Sequence, residues 1–355
     1  MFSQHGAFME FNRILLVQTA FLGDTILTTP LIRAVRQLFP QAQIDILVIP
    51  QTAGVLRNNP HLNHIILFDK RADKKSAFVK TLKRLKSEKY DLAVTPHSSF
   101  TTGLLLKLAC IPHRIGFDRN PIRFFLTQTV PVPHGKHTIE KNLALLRPLS
   151  KQTFSMQTEL FITHKEKYLA QNLLQRLPAA KPKIAIAPGS VWPTKRWPKE
   201  YYARLVKNLK DDFALIFIGS DAERDLCAWI IEQAGAQTAM NLAGELSLLQ
   251  SAAIIEQCDL MICNDSGALH LANAMQTDVF AFFGPTVKEF GFYPFRPHDF
   301  VFEVPDLYCR PCGKHGSHAC PQKHFRCMLE IEPKKVEEKV RARFTQVQKS
   351  GLYFK

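Results

Sequence analysis

The sequence lacks the short motifs that mark three common chemistries of α/β proteins. It has no G-x-G-x-x-G fingerprint, no P-loop lysine and no G-x-S-x-G turn. These absences argue against a dinucleotide-dependent oxidoreductase, a P-loop kinase and an esterase. The chain also shows no internal sequence repeat and no low-complexity segment.

Long apolar segments are also missing. No run approaches the roughly 18 apolar residues that a membrane span needs. The segment from Met1 to Asn12 has no cationic start followed by an apolar core of signal-peptide length. We therefore expect a folded protein that stays in the cytoplasm.

Acidic residues are few: 31 Asp and Glu stand against 46 Lys and Arg, which gives a formal charge of +15. This charge implies an anionic partner, which is a nucleic acid, an acidic membrane surface or a phosphorylated substrate. Part of the excess lies in residues 70–89. There Phe78, Leu82 and Leu85 recur at helical spacing. This basic amphipathic helix either rests near anionic lipid or covers a sheet with its basic face in solvent.

With 355 residues, the chain exceeds what one hydrophobic core usually supports, so we expect two domains. Short apolar runs, beginning with Arg13–Gln18, alternate with helical patterns, and the alternation restarts near His164. Alternating strands and helices predict parallel, doubly wound sheets. The predicted fold class is α/β, with Rossmann-like domains at residues 1–163 and 164–355. Pro30 falls in the first predicted helix, which either starts near Thr28 or is kinked.

The turn Asn264-Asp265-Ser266-Gly267 follows an apolar run and opens a helix. In a parallel sheet such turns lie at the carboxyl ends of the strands, where open α/β sheets bind ligands. The backbone amides of Ser266 and Gly267 have no intrahelical partner, so they predict a site for an anion such as diphosphate. The alternative is that Asp265 and Ser266 only cap the helix.

Two more turns, Pro188-Gly189-Ser190 and Gly219-Ser220, should lie on the same rim of the sheet. The first leads into Lys195 and Arg196, which supply the cations that a diphosphate requires. Glu223, just after the second turn, is suited to accept hydrogen bonds from ribose hydroxyls. In the first half the comparable turn carries Asp24, which either takes a proton from a hydroxyl or caps a helix.

Four motifs occur in one order along the chain. They are Gly23–Pro30, then Ala187–Ser190 with Lys195–Pro198, then Asn241–Gly244 with Leu246–Leu248, and finally Asn264–Gly267 with His270 and Gly284–Thr286. Together they resemble glycosyltransferase family 9, the ADP-heptose:lipopolysaccharide heptosyltransferases. The resemblance covers nearly the whole chain. It implies a GT-B fold, in which the first domain binds the acceptor, the second binds the ADP-sugar, and the chemistry occurs in the cleft between them.

The resemblance also implies roles for individual residues. Asp24 matches the general base. The donor-binding positions are Ser190, Lys195, Glu223, Leu246, Asp265, Ser266, Gly267 and His270. Among them Glu223 matches a ribose contact and Leu246 a main-chain contact to adenine, while His270 either contacts the donor sugar or is structural.

The chain departs from the family pattern at Gln18, where many members carry a basic residue. A positive contact there is either missing or supplied by another residue, and we name Arg114, Arg119 and Arg123 as candidate acceptor-binding residues.

The implied activity is inverting transfer of L-glycero-D-manno-heptose from ADP-heptose to the lipopolysaccharide inner core. The acceptor is Kdo-lipid A or heptosyl-Kdo-lipid A, bound by a peripheral enzyme at the inner face of the cytoplasmic membrane, and similarity leans to the second heptose. No cofactor is obligatory. Two alternatives remain: another nucleotide-sugar transferase of GT-B fold, and a non-catalytic binder of nucleotides or nucleic acid. We expect no nucleic-acid partner, because we locate no aromatic or helical surface to bind one.

Four of the eight cysteines are clustered, at Cys309, Cys312, Cys320 and Cys327. Four thiolates with interleaved histidines have the composition of a structural zinc site, although the spacing is not a standard pair of C-x2-C motifs. The alternatives are a redox-sensitive or disulfide-linked loop and reduced structural thiols. Any metal here would be structural, since the implied transfer needs none.

Overall fold

The computed structural model describes residues 10–69 and 73–349. These residues divide into two compact units: unit 1 ends at Glu159 and unit 2 begins at Leu160. Within the described ranges, no helix has both the length and the apolar character needed to cross a membrane. Most of the segment assessed for a signal peptide and residues 70–72 of the basic segment lie outside the described residues.

Unit 1 is a parallel sheet with helices between its strands. The strands are β1 (Arg13–Gln18), β2 (Gln43–Val48), β3 (His64–Leu67), β4 (Leu92–Thr95), β5 (His113–Phe117) and β6 (Gln128–Val130). The α-helices are α1 (Leu22–Ile26), α2 (Thr29–Leu38), α3 (Pro50–Ala53), α4 (Lys74–Glu88), α5 (Phe100–Leu108) and α6 (Thr138–Ala144). The strand order is β3-β2-β1-β4-β5-β6. It reverses between β1 and β4, which makes this the switch point where such sheets bind ligands.

Unit 2 repeats this design. Its strands are β7 (Lys183–Ala187), β8 (Ala214–Phe217), β9 (Met240–Asn241), β10 (Leu260–Asn264), β11 (Val279–Phe282) and β12 (Phe300–Phe302). Its α-helices are α7 (His164–Leu174), α8 (Lys199–Leu209), α9 (Arg224–Ala234), α10 (Leu248–Glu256), α11 (Gly267–Ala274), α12 (Arg326–Leu329) and α13 (Pro333–Lys349). The order β12-β11-β10-β7-β8-β9 puts the switch point between β7 and β10. The predicted α/β class with two Rossmann-like units is confirmed.

The first helical segment of unit 1 is divided where Pro30 predicts a boundary. The helix α1 ends at Ile26, and α2 begins at Thr29 with Pro30 in its first turn. Proline is tolerated there because the first backbone N–H groups of a helix have no intrahelical partner. The helix therefore starts afresh near Thr28 instead of being kinked.

The basic helix α4 uses its apolar stripe inside unit 1. Ala77, Phe78 and Leu82 pack against the buried cluster that surrounds the sheet, and Leu85 belongs to that cluster. Its basic side chains are on the exposed face. Of the two alternatives for this segment, the structure shows the sheet-covering helix.

The core of unit 2 is rich in aromatic side chains and extends to the last helix. Trp197 stacks on Phe282 with ring centroids 4.3 Å apart. The buried cluster around them includes Val336, Val340 and Phe344 of α13. Because burying such a side chain contributes about 1.5–3 kcal/mol, α13 is an integral part of unit 2.

Candidate functional site

Asn264 connects the two turns at the switch point of unit 2. Its side chain is fully buried, and its amide nitrogen donates to the carbonyls of Pro188 at 2.8 Å and Gly189 at 3.1 Å. Its Oδ1 accepts from the backbone N–H of Trp197 at 2.9 Å. A buried amide has to satisfy its polar groups, and Asn264 does so by fixing the turn after β7 beside the start of α11. The sequence pattern alone assigned no role to this side chain.

Asp265 and Lys195 form an ion pair on this rim. Lys195 Nζ and Thr286 Oγ1 each donate to Asp265 Oδ2 at 2.6 Å. The side chains of Lys195 and Asp265 are 13% and 7% exposed, so this charge-assisted bond lies in a poorly solvated setting where it is strong. An ammonium group has three N–H donors. One bond to Asp265 therefore leaves donors that a bound anion can use.

The helix α11 begins next to this ion pair. Ser266 is its N-cap residue, and the Ser266 side chain makes no capping hydrogen bond to the helix start. Its first amides are thus oriented toward the rim, where helix N-termini bind anions. His270 lies one turn further on, is buried, and meets the ring of Phe292 edge-on at 6.3 Å.

Glu223 lies against the glycine turn after β7. Its Oε2 accepts from the backbone N–H of Ser220 at 2.7 Å and from its hydroxyl at 2.9 Å. A Cβ at Gly189 would stand 1.7 Å from Glu223 Oε1. The carboxylate therefore contacts the Gly189 backbone directly, and any larger residue at this position would displace it.

The predicted donor-binding residues lie in a row along three strand ends. Asp265, Ser266 and Gly267 follow β10, and the buried Ser190 follows β7, with its carbonyl accepting from Arg196 Nε at 2.8 Å.

Glu223 and Leu246 lie on the other side of β7, near the end of β8. Leu246 is half-buried, and its segment is attached to the end of β8 because the Gly244 N–H donates to the Gly219 carbonyl at 3.0 Å. Lys195 and the start of α11 therefore lie at one end of the row. Glu223 and Leu246, the candidate contacts to ribose and adenine, lie at the other end.

Asp24 lies in α1, directly after β1, on the carboxyl rim of unit 1. Its half-buried carboxylate accepts from the backbone N–H of Phe21 at 3.3 Å. Gln18, the last residue of β1, is buried, and its amide donates to Thr28 Oγ1 at 3.1 Å and accepts from the Ala20 N–H at 3.2 Å. Gln18 therefore fixes the loop that carries Asp24 and supplies no charge to it.

Two further polar residues of unit 1, His97 and Lys141, were not among the predicted site residues because no sequence motif marks them. His97 follows β4, and its Nδ1 lies 2.9 Å from the hydroxyl of Thr19, at the switch point. Lys141 of α6 has its pKa lowered by burial and by the charge of Arg119. The neighbouring Asn142 donates to the carbonyl of Leu27 at 3.1 Å, which ties α6 to the end of α1.

The three candidate arginines occupy different places in unit 1. Arg114 lies at the amino end of β5, where its guanidinium donates to the carbonyls of Phe125, at 2.6 Å, and Ile111. Arg119 and Arg123 come after the carboxyl end of β5 and are exposed, with Arg123 3.3 Å from Asp118. The structure thus brings Arg119 and Arg123, and not Arg114, to the rim that carries Asp24.

The four clustered cysteines carry free thiols. Burial raises the pKa of Cys327 to about 11, and the neighbouring Cys312 and Cys320 act in the same direction. A raised pKa favours the thiol over the thiolate that binds metal. Among residues 10–69 and 73–349, which include all four cysteines, no group of three or more His, Cys, Asp or Glu side chains is arranged to hold a metal ion. The observed arrangement of these thiols therefore gives the zinc alternative no support.

Comparison with known proteins identifies the family and the fold of this chain. A family model described as glycosyltransferase family 9 (heptosyltransferase) matches residues 78–322. The lipooligosaccharide heptosyltransferase 2 of Campylobacter jejuni subsp. jejuni (serotype O:6) is 27% identical over 327 residues, which cover 90% of this chain and 96% of that protein.

Two solved structures are similar over almost the whole chain. The E. coli ADP-heptose LPS heptosyltransferase II aligns with a TM-score of 0.77 and 26% identity, covering 95% of this chain and 99% of that one. A family 9 glycosyl transferase from Veillonella parvula DSM 2008 has a TM-score of 0.82 at 22% identity, with 94% and 97% covered. These likenesses confirm the predicted fold class, the GT-B type.

Proposed function

The chain belongs to glycosyltransferase family 9, and on this premise we propose that it transfers L-glycero-D-manno-heptose from ADP-heptose to the lipopolysaccharide inner core. The observation that carries the proposal is the poorly solvated Lys195–Asp265 pair of 2.6 Å beside a helix start whose N-cap side chain makes no capping bond. A sugar diphosphate needs a cation and oriented amides where its leaving group develops charge, and both stand at one switch point.

Unit 2 holds the donor in this scheme. Lys195 and the amides of Ser266 and Gly267 bind the diphosphate, while Asp265 keeps the lysine in place. Glu223 accepts from the ribose hydroxyls, and the main chain at Leu246 contacts the adenine. These groups are fixed before the reaction, so they stabilise the departing ADP without reorganisation at the transition state.

Unit 1 binds the acceptor and provides the general base. Asp24 takes the proton from the acceptor hydroxyl as the oxygen bonds to the anomeric carbon and the bond from that carbon to the diphosphate breaks. One displacement from the face opposite ADP inverts the configuration and requires one base. Arg119 and Arg123, with the unpredicted Lys141, give this rim a positive charge that suits the acidic Kdo sugars and lipid A phosphates.

We propose that the enzyme adds the second heptose of the inner core. Two of the three similar proteins named above, those of Campylobacter jejuni and E. coli, are called heptosyltransferase 2 or II. The acceptor is then heptosyl-Kdo-lipid A. Assays with this acceptor and with Kdo-lipid A separate the two assignments, because a second-heptose enzyme is expected to use only the former.

The acceptor is a lipid, so we propose that unit 1 approaches the inner face of the cytoplasmic membrane. Phe124 and Phe100 are 72% and 54% exposed, and the exposed Arg119 and Arg123 lie close to Phe124 in the chain. Exposed aromatic and basic side chains together suit an anionic lipid surface. Phe124→Ser is expected to reduce co-sedimentation with anionic vesicles, while vesicles of neutral lipid should bind neither protein.

The nucleotide preference is the main test of the proposal. Thermal unfolding of the purified protein is followed with ADP, GDP, UDP and CMP, since a ligand that binds only the native state raises stability. Selective stabilisation by ADP, followed by heptose transfer from ADP-heptose, is the expected result. Stabilisation by another nucleotide alone would contradict the proposal and would favour transfer of a sugar from that nucleotide.

The proposed transfer passes through no metal. Zinc at Cys309, Cys312, Cys320 and Cys327 stays a prediction that elemental analysis of protein purified without chelator decides. Less than about a tenth of an equivalent, with all four thiols titratable, contradicts it, because a four-thiolate site holds zinc tightly.

A further inference from the structure

The Cys-rich loop, defined as Cys309–Cys327, contacts the two turns whose side chains, Lys195 and Thr286, donate to Asp265 on the donor rim. One turn, Gly284-Pro285-Thr286, follows β11. The other runs from Trp192 to Lys195 and follows β7. The loop is distant in sequence from the second turn, so its position depends on specific contacts and not on chain connectivity.

The first part of the loop is fixed to the turn after β11. The guanidinium of Arg310 donates to the carbonyl of Thr286 at 2.8 Å, and the backbone N–H of Cys312 donates to the carbonyl of Pro285 at 3.0 Å. The Arg310 side chain is only 5% exposed. The loop thus holds the main chain of Thr286, whose hydroxyl donates to Asp265.

The second part is fixed to the turn that carries Lys195. The backbone N–H of Ser317 donates to Thr194 Oγ1 at 2.8 Å, and the Thr194 hydroxyl and N–H donate to the Ser317 carbonyl at 3.0 and 3.2 Å. Next to it, a Cβ on Gly316 would stand 2.5 Å from Trp192 Cβ and 3.0 Å from Lys195 Cγ. The loop backbone therefore lies directly against the lysine side chain.

His315 lies between these two anchors, in an exposed position. Partial burial lowers its pKa, the positive charges of Lys195 and Lys314 lower it further, and the charge of Asp265 acts in the opposite direction. The imidazole therefore shares the electrostatic environment of the ion pair. An anion bound there would offset the lysine charges and raise the pKa of His315 again.

We propose that the Cys-rich loop is a working part of the donor site, which holds the turns of Lys195 and Thr286 in place and lets His315 donate a hydrogen bond to the donor diphosphate. This inference rests on the proposed function, because it takes a sugar nucleotide as the ligand. It assigns a role to a loop whose cysteines the transfer itself does not use.

The first experiment measures ADP affinity by calorimetry for the parent, His315→Ala and the control His298→Ala. His298 is exposed and precedes β12, so it lies at the amino ends of the parallel strands, on the rim opposite the donor site. His315→Ala is expected to weaken ADP binding about tenfold, the scale of a hydrogen bond to a charged group, and the control should match the parent.

The same measurement at about pH 6 and about pH 8 distinguishes a direct contact from a structural role. Because the diphosphate raises the pKa of His315, binding takes up a proton, and the contribution of the imidazole is largest at low pH and declines as the pH rises through the bound-state pKa. The ratio of parent to His315→Ala affinity should therefore be greater at the lower pH. The titration of ADP itself is common to both proteins and cancels in that ratio.

A second experiment displaces the loop from Lys195 with Gly316→Ala. The KM for ADP-heptose is expected to rise by about fivefold or more, on the scale of a group displaced at the diphosphate, while the KM for the acceptor stays at the parental value. A loop with only a structural role would lower the melting temperature and leave the donor KM unchanged.

The outcomes separate the two levels of the argument. If the parent neither binds ADP nor uses ADP-heptose, the proposed function is wrong and this inference with it. If the parent does both and Lys195→Ala weakens ADP binding, but His315→Ala and Gly316→Ala both stay within twofold of the parent at both pH values, only the inference is wrong.

Discussion

The two switch points have the same strand order and different chemistry. In unit 2 the carboxylate of Asp265 is nearly buried and accepts from Lys195 and Thr286 at 2.6 Å. In unit 1 the carboxylate of Asp24 is half-buried and accepts from a backbone N–H at 3.3 Å. The fold supplies a rim in both cases, and the polar residues placed on it decide what the rim can do.

This difference separates two functions of an aspartate. A carboxylate bonded to a lysine by a charge-assisted hydrogen bond serves to position the cation. A carboxylate that takes a proton from a hydroxyl has to offer an oxygen to the substrate. Asp265 suits the first function, and we assign the second to Asp24.

The largest expected effect comes from Asp24→Asn. Asparagine keeps the shape and caps a helix about as well as aspartate, but it does not accept the proton. Turnover should fall by about 10²–10⁴-fold, the usual contribution of a positioned base, while ADP affinity and the melting temperature barely change. Heptose transfer and thermal unfolding are measured on one preparation. Near-parental turnover would remove Asp24 from the mechanism.

The matched substitution Asp265→Asn sharpens the comparison. Here the damage should appear in donor binding and stability, because the substitution leaves the poorly solvated Lys195 without its counter-charge. If Asp265→Asn instead lowered turnover alone, the two carboxylates would have been assigned the wrong way round.

The next effect in size is that of Lys195→Ala. The kcat/KM for ADP-heptose should fall by about 2–4 kcal/mol in transition-state terms, the scale of one preorganised electrostatic group. Lys207→Ala, on the exposed face of α8, serves as a control for the loss of one positive charge. Agreement of the Lys195 variant with the parent within a factor of two would show that the donor-site assignment is wrong.

The smallest expected effects come from removing the two buried side-chain amides at the switch points, those of Asn264 and Gln18. Asn264→Ala leaves the turn after β7 and the Trp197 N–H unsatisfied and should cost about 2–3 kcal/mol, whereas Gln18→Ala should cost about 1 kcal/mol. The three tryptophans, Trp192, Trp197 and Trp229, all belong to unit 2.

Denaturant unfolding followed by tryptophan fluorescence therefore reports on Asn264→Ala, and circular dichroism is needed for Gln18→Ala. Equal costs would contradict the stronger role given to Asn264.

The sequence was sufficient to predict the strands and turns that are marked by a long apolar run. The run Arg13–Gln18 is a strand with those bounds, and the turns after β7, β8 and β10 lie on one rim as predicted from their place after apolar runs. The short strands β6, β9 and β12 were not predicted. Two or three residues carry little periodicity, and these strands exist because they pair with β5, β8 and β11.

The contacts that build the donor site were the least predictable part. Lys195 and Asp265 are 70 residues apart, and the Thr194–Ser317 bonds join segments 123 residues apart. Spacing along a chain does not show which distant side chains meet, because packing of the whole unit decides it. For the same reason Asn264, His97 and His315 gave no signal beyond their residue type.

The burial of α13 also affects the order in which the protein matures during synthesis. Domains generally fold as units, the N-terminal one first. Unit 1 has its whole sheet available once β6 has been made. Unit 2 cannot close its core until Val336, Val340 and Phe344 of α13 have been synthesised. Its apolar sheet face is therefore exposed while those residues are being added, and a nascent chain at this stage is the form most exposed to aggregation and to recognition by chaperones.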